Sequence, residues 1–285
     1  MKFNLDSAEV YVPDGKPVEV ALERVTHMGI GAHQDDLEIM AAAGILECFQ
    51  SNNKWFCGVV VTNGSGSPRD DLYQDYTDDQ MRDVRRVEQK KAAFIGEYAA
   101  QILLDYPSAA VKNPDQQVVV DDLDQLLAAA QPQVVFTHNL ADKHDTHVAV
   151  ALRVIEAIRK LPQSSRPEKL YGCEVWRDLD WLVDRDKVPF DLSSHENLQA
   201  ALLGVFDSQI SGGKRYDLAT MGRRKANATY FESHGTDVVT GLSYAMDLTP
   251  LIDDAGLDVS EYLHEYLNRF WEEVTDRFDR LGVAS

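Results

Sequence analysis

The chain has 285 residues, is 44% hydrophobic, and carries 47 acidic against 28 basic side chains, for a formal net charge of -19. That is the composition of a folded globular protein, long enough for one large α/β domain. The acidic balance argues against a phosphate-backbone partner, and no stretch approaches the roughly 18 apolar residues of a membrane span.

Residues 1–13 lack a basic segment followed by an apolar one, and Cys48, Cys57 and Cys173 have no CxxC spacing. Buried thiols and a cytoplasmic location are the expectation. In chain order, Val25–Ala32 reads as a strand, Leu37–Asn52 as a helix and Trp55–Thr62 as a second strand, whose Val59-Val60-Val61 run suits burial on both faces. A polar loop, Asn63-Gly64-Ser65-Gly66-Ser67-Pro68, leads to a helix over Asp79–Ile95 with Gly96 as its C-cap. Ala99–Leu104 reads as the third strand, Leu123–Ala130 as a short helix, Val134–Thr137 as the fourth strand and Val148–Leu161 as a helix. Lys169–Trp176 adds a further strand.

Strands alternating with helices predict an α/β fold, a Rossmann-like, mainly parallel sheet with helices on both faces. Beyond residue 176 the pattern loosens; His195–Phe206 and Tyr262–Leu281 read as helices and Gly212-Gly213-Lys214-Arg215 as a loop. One domain over 1–285 is expected, with a core at about 20–176 and a C-terminal elaboration over 177–285.

Chemistry concentrates in Gly31-Ala32-His33-Gln34-Asp35-Asp36-Leu37-Glu38, between the first strand and its helix. Open α/β sheets build their sites at such strand ends. His33 and Asp36 share one turn, and His147 opens the helix after the fourth strand on the same sheet edge. Two imidazoles and a carboxylate suit a zinc site with open positions, and ferrous iron as the alternative. Asp35 is left free as a general base, and His144, one turn before His147, as an oxyanion or leaving-group partner. The bland alternative is that Asp35 and Asp36 merely cap a helix. Two His/Asp clusters at two strand-to-helix junctions weigh against it.

Arg85, His138 and Asn63 are the substrate-binding candidates. Arg85 serves equally well in a helix salt bridge with Glu88 or Asp83, and His138 in strand-end packing. Trp176 and Trp181 either wall a sugar site or pack in the core. Gly29-x-Gly31-x-x-Gln34 lacks the third glycine of a dinucleotide fingerprint.

These motifs resemble those of the PIG-L/LmbE-like zinc-dependent N-acetylglucosaminyl deacetylases. The family's His-Pro-Asp-Asp appears as His33-Gln34-Asp35-Asp36, its His-x-x-His as His144-Asp145-Thr146-His147, and its Arg-x-x-Glu helix as Arg85-Arg86-Val87-Glu88 before Gly96. The resemblance covers about residues 25–160, with a loose match near Asp207-Ser208-Gln209. It implies removal of an N-acetyl group from an amino-sugar conjugate or related small amide, with His33, Asp36 and His147 as metal ligands, Asp35 as base and His144 as oxyanion or leaving-group partner. Gln34 replaces the family's proline, and Thr146 stands where many members carry an aspartate; Asp142 and Asp145 are the candidates to replace it. The alternatives are a metallohydrolase of another amide or ester, such as a thiol conjugate, and a catalytically inactive metal- or ligand-binding protein. The expected partner is a small N-acetylated molecule, with no nucleic acid or membrane; a homo-oligomer is compatible with the sequence but not demanded by it.

Overall fold

The structure is a computed structural model that describes residues 1–282. Eight strands form one sheet: β1 (Glu9–Tyr11), β2 (His27–Gly31), β3 (Phe56–Thr62), β4 (Ala100–Tyr106), β5 (Val134–His138), β6 (Lys169–Cys173), β7 (Val188–Asp191) and β8 (Leu242–Asp247). Their spatial order is β1-β4-β3-β2-β5-β6-β8-β7. The five central strands run parallel, whereas β1 joins β4, and β8 joins both β6 and β7, in antiparallel pairs. This is the α/β, mainly parallel, Rossmann-like architecture expected.

β3 shows why its sequence is an unbroken apolar run. Cys57, Val59 and Val61 enter one hydrophobic cluster, while Phe56 and Val60 enter the other, on the opposite face. The first cluster takes in the helices Val118–Ala130 and Asp145–Lys160; the second takes in Ala42–Cys48 and Glu196–Gly204. Both faces of the parallel strands are therefore dry.

Chain order fixes the location of the site. From β2 the chain moves outward to β3 and β4, then returns to the other side of β2 for β5 and β6. The carboxyl ends of β2 and β5 thus flank the point where strand order reverses, the crevice where open α/β sheets bind ligands.

Several elements differ from the sequence reading for identifiable reasons. The helix expected over Leu37–Asn52 is two helices, Asp36–Met40 and Ala42–Cys48, broken at Ala41. Arg224, only 3% exposed, donates to the carbonyls of Glu38 and Ile39 at 2.8 and 3.1 Å. A side chain inserted into the i to i-4 ladder interrupts it. The helix placed at Leu123 begins at Val118, because fully buried Val119 and Val120 contribute packing that outweighs weak β-branched propensity.

Gly96 caps its helix as expected, but at φ -81 rather than in a left-handed turn. A Cβ there would stand 2.4 Å from the ring of Tyr98, so close approach is what demands glycine. The helices Val18–Glu23 and Tyr216–Tyr230 and the strands β1 and β8 have no counterpart in the sequence reading. β7 and β8 come from the segment after residue 176 and extend the same sheet.

Candidate metal and catalytic site

The turn after β2 is held in an unusual conformation. Asp35 lies in the left-handed region at φ 93, which a non-glycine residue adopts only when its surroundings enforce it. Gln89 Oε1 accepts the Asp35 N–H at 3.3 Å, and Arg85 donates to the carbonyl of Gln34 at 2.8 Å. The twist sends the two aspartates in different directions. Asp36 turns inward, its Oδ2 accepting the His33 N–H at 2.6 Å, while Asp35 lines an open cavity.

The loop after β5 meets this turn from the other side. His33 Nδ1 lies 3.2 Å from His147 Nε2 and 3.3 Å from Asp36 Oδ2, and His147 Nε2 lies 3.5 Å from Asp36 Oδ1. These contacts bring the three side chains together, with His33 and His147 each facing a different Asp36 oxygen, and an N₂O donor set of this kind suits zinc or ferrous iron.

Two triples offer one donor atom per residue within 4.8 Å of one another: His33, His144 and His147, and Asp36, His138 and His147. The second is a weaker metal set. His138 is fully buried, its Nε2 accepts the Ala32 N–H at 2.9 Å, and its ring stacks on His147 with centroids 3.9 Å apart. The nitrogen lone pair that would face an ion is already engaged, so His138 buttresses His147. It does not reach the cavity.

The charge states follow from burial and neighbours. Burial opposes the Asp36 charge, but His147 and His138 outweigh it and hold the carboxyl well below its usual range. Asp35 goes the other way: burial drives its carboxyl well above the usual value, with Arg85 opposing and Asp36 adding repulsion. Two adjacent carboxyls are thus shifted in opposite directions. Burial pushes His33 down despite Asp36, and His138 down to about 4, so both rings favour the neutral form. For His147, burial is outweighed by Asp36 and Asp142, and its pKa is raised; a cation bound there displaces that proton.

Thr146 is buried and lines the cavity beside His144. Neither Asp142 nor Asp145 pairs with the His144 ring: Asp142 Oδ1 accepts the backbone N–H of His144 at 2.9 Å, and Asp145 is exposed. His144 Nδ1 has no hydrogen-bond partner among the described residues. Burial, then His147 and His33, lower the His144 pKa. Asp142 instead sits behind His147, with Oδ2 3.6 Å from Nδ1.

The cavity holds about 290 Å³, with His33, Asp35, Arg85 and His144 facing it. Arg85, 2% exposed, pairs with neither Glu88 nor Asp83. It donates to Gly64 O at 3.2 Å and to Ser67, and approaches Asp35 Oδ2 at 3.9 Å. With the amide oxygen of Gln209 turned toward it, that residue accepts from Arg85 as well. Glu88 accepts from the backbone and hydroxyl of Ser208 at 2.7 and 2.5 Å, which brings Gln209 to the cavity. Asn63 does not line the cavity; its Oδ1 accepts the Ser65 N–H at 3.2 Å and shapes the loop.

Ser108, Lys112 and Tyr216 line the cavity without any signal in the motifs. Gln209 alone among the late residues was marked, by the loose match near Asp207. Trp176 does not line the cavity; it packs against one hydrophobic cluster, 6.4 Å from the His144 ring and 6.0 Å from the Tyr216 ring, and Trp181 packs against the other.

Part of the chain matches a known family, and its fold is shared with solved structures. Residues 28–158, which contain both histidine clusters, match the family model described as PIG-L: GlcNAc-PI de-N-acetylase. That match covers just under half of the chain. No curated protein sequence matches it. The fold is similar to that of the conserved protein TT1542 from Thermus thermophilus, at 17% identity and TM-score 0.61 over 77% of this chain and 93% of that one. It is also similar to N,N'-diacetylchitobiose deacetylase from Pyrococcus horikoshii, at 16% identity and TM-score 0.57 over 78% and 83% of the two chains. A third likeness is to the 4-carboxy-2-hydroxymuconate hydratase GalB from Pseudomonas putida, at 15% identity and TM-score 0.57 over 79% and 96%. At such identities the likeness concerns the fold. No helix among the described residues is long and apolar enough to cross a membrane.

Proposed function

We propose that this protein is a PIG-L-like, metal-dependent N-deacetylase acting on an N-acetylated amino-sugar conjugate or a related small amide. The carrying observation is the gathering of His33, Asp36 and His147, in pairwise contacts of 3.2 to 3.5 Å, beside a cavity that His33, Asp35 and His144 line. The family description and the deacetylase of the same fold support it. The fold alone does not choose the bond, since a hydratase shares it.

His33, Asp36 and His147 would hold the ion, zinc in this reading and ferrous iron in the alternative. When bound, such an ion activates water and polarises a carbonyl. Asp35 takes a proton from the attacking water, for which its raised pKa suits it, and hands it toward the departing amine. His144 donates an N–H to the oxygen that gains charge. Arg85, fixed by Gly64 and Ser67, anchors the cavity wall and keeps the Asp35 turn in place through Gln34.

The test is metal content of the wild type beside His33→Ala and His147→Ala, with acetate release from N-acetylglucosamine conjugates assayed on the same samples. About one ion per chain, lost in both variants together with acetate release, is expected. Bound metal with no acetate release refutes the deacetylase reading and leaves the site. No metal after reconstitution refutes both.

A further inference from the structure

The helix Val259–Arg280 is built into the body of the protein over its first half alone. Tyr262 and Tyr266 are its buried residues, and both hydroxyls reach the carbonyl of Asp247, at the end of β8, at 2.5 and 3.5 Å. Arg269 donates to Asp186 at 2.5 Å. Beyond Arg269 the side-chain bonds of this helix stay within it, among the described residues: Thr275 donates to the carbonyls of Trp271 and Glu272, and Arg277 to Glu273. Yet that free stretch is apolar on one side. Trp271 is 65% exposed and Leu281 75%, and Leu267, Phe270 and Phe278 are exposed by 39–47%.

The spacing of these side chains is that of a coiled-coil seam. Leu267, Trp271, Val274, Phe278 and Leu281 follow at intervals of four, three, four and three residues, and His264 continues the series upstream. They form one stripe, turned away from the side on which Tyr262 and Tyr266 dock. The acidic residues Glu261, Glu265, Glu272, Asp276 and Asp279 fall opposite the stripe. With about 150–250 Å² for a large side chain, the five exposed ones present on the order of 500 Å² of apolar surface, at the upper end of what a monomer carries. Covering the stripe with a second one like it removes roughly 1,000 Å² before the flanks are counted, which reaches the low end of specific interfaces.

We propose that this helix pairs with its counterpart in a second copy of the chain, as an antiparallel two-stranded coiled coil. The stripe is self-complementary in that orientation. Trp271 meets the partner's Val274, Leu267 meets the partner's Phe278, and His264 meets the partner's Leu281, so that each ring faces an aliphatic side chain. On one flank Phe270 faces the partner's Arg277 as a cation–π pair, and on the other Asn268 faces the partner's Thr275 at hydrogen-bonding reach. A parallel pair instead sets Trp271 against the partner's Trp271, which overfills the layer. From Leu263 to Leu281 neither the seam nor its flanks hold a carboxylate, so two chains of net charge -19 can approach here without opposing like charges. A lipid surface is the poorer occupant, because helices that lie on membranes carry lysine and arginine on the polar side, and this one carries acids.

The test is sedimentation velocity of the full chain from about 2 to 200 µM, the range in which an interface of this modest size dissociates. Expected is a concentration-dependent shift from the 32.0 kDa single chain to twice that mass. Trp271→Ala and Phe278→Ala are each expected to raise the dimer Kd about tenfold or more. Arg277→Ala is expected to raise it about two- to fivefold, with Arg277→Lys retaining most of the affinity. Glu272→Ala, on the opposite side, is expected to change nothing. Because these side chains are exposed in the single chain, melting temperatures at low concentration are expected to match the wild type, which separates lost pairing from lost folding. Orientation is read by treating an equimolar mixture of Asn268→Cys and Thr275→Cys chains with a short bis-maleimide, the native cysteines being buried. A link from position 268 of one copy to position 275 of the other is expected. A chain that stays single across the range, a dimer indifferent to Trp271→Ala and Phe278→Ala, or links confined to like positions overturns the proposal. So does a single chain that instead binds phosphatidylcholine or phosphatidylglycerol vesicles in a Trp271-dependent way. None of these outcomes depends on the reaction catalysed.

Discussion

Replacing Asp35 with asparagine tests the division of labour between the two aspartates. Residue 35 sits at φ 93, where asparagine is among the best tolerated side chains, so the turn is expected to survive. Arg85 loses a pair at 3.9 Å but keeps its bonds to Gly64 and Gln34. The metal donors are untouched, so metal content is expected to match the wild type. What disappears is the proton acceptor, which lowers kcat by roughly 10² to 10⁴-fold, or about 3–5 kcal/mol of barrier.

The same substitution has an opposite effect on stability. Burial raises the Asp35 carboxyl above its ordinary 3.8 in the fold. A group with a raised folded pKa contributes stability that is complete below its unfolded pKa and is lost as pH rises through the folded value. At neutral pH the buried carboxyl is therefore a burden, and asparagine removes it. Metal-free Asp35→Asn is expected to melt above metal-free wild type at pH 8, with the gap narrowing toward pH 5. The assays are metal analysis, steady-state kinetics and thermal melts in chelator at the two pH values. Retention of wild-type kcat with full metal occupancy, or a lower melting temperature at pH 8, would refute the assignment.

Glu38, bonded to Tyr98 and Gln89, is raised to about 7 by burial, so the wild type loses stability as pH climbs from 4.5 through 7. Denaturant titrations are expected to show Glu38→Gln gaining on wild type across that window by at most about 3 kcal/mol; a flat difference contradicts the burial argument. Asp142→Asn weakens the carboxylate behind His147 and is expected to reduce metal affinity about 10 to 100-fold in chelator competition. Gly44→Ala places a Cβ 2.5 Å from the Phe136 ring, and overpacking there is expected to cost about 1–3 kcal/mol in chemical denaturation.

The parallel strands were readable because each is an apolar run bounded by turn residues, and both histidine clusters lie within a few residues of strand ends. The edges were not. β1 is three half-buried residues, and β8, Leu-Ser-Tyr-Ala-Met-Asp, has no clean alternation. The break at Ala41 is imposed by Arg224 from far along the chain, which no local pattern reports. The cavity wall divides in the same way. Arg85 belongs to a motif, whereas Lys112 and Tyr216 reach the cavity through tertiary packing.

Arg224 also bears on how such chains diversify. The family match stops at residue 158, yet the hydrogen bonds from Arg224 to Glu38 and Ile39 span 186 and 185 positions, from beyond that limit into the helix of the metal motif. Gln209 and Tyr216, from the same late segment, form part of the cavity wall. A chimera joined near residue 158 would exchange the specificity wall and remove the clamp on the metal turn in one step. To keep that clamp, such a chimera must carry the arginine, or an equivalent donor, along with the new wall.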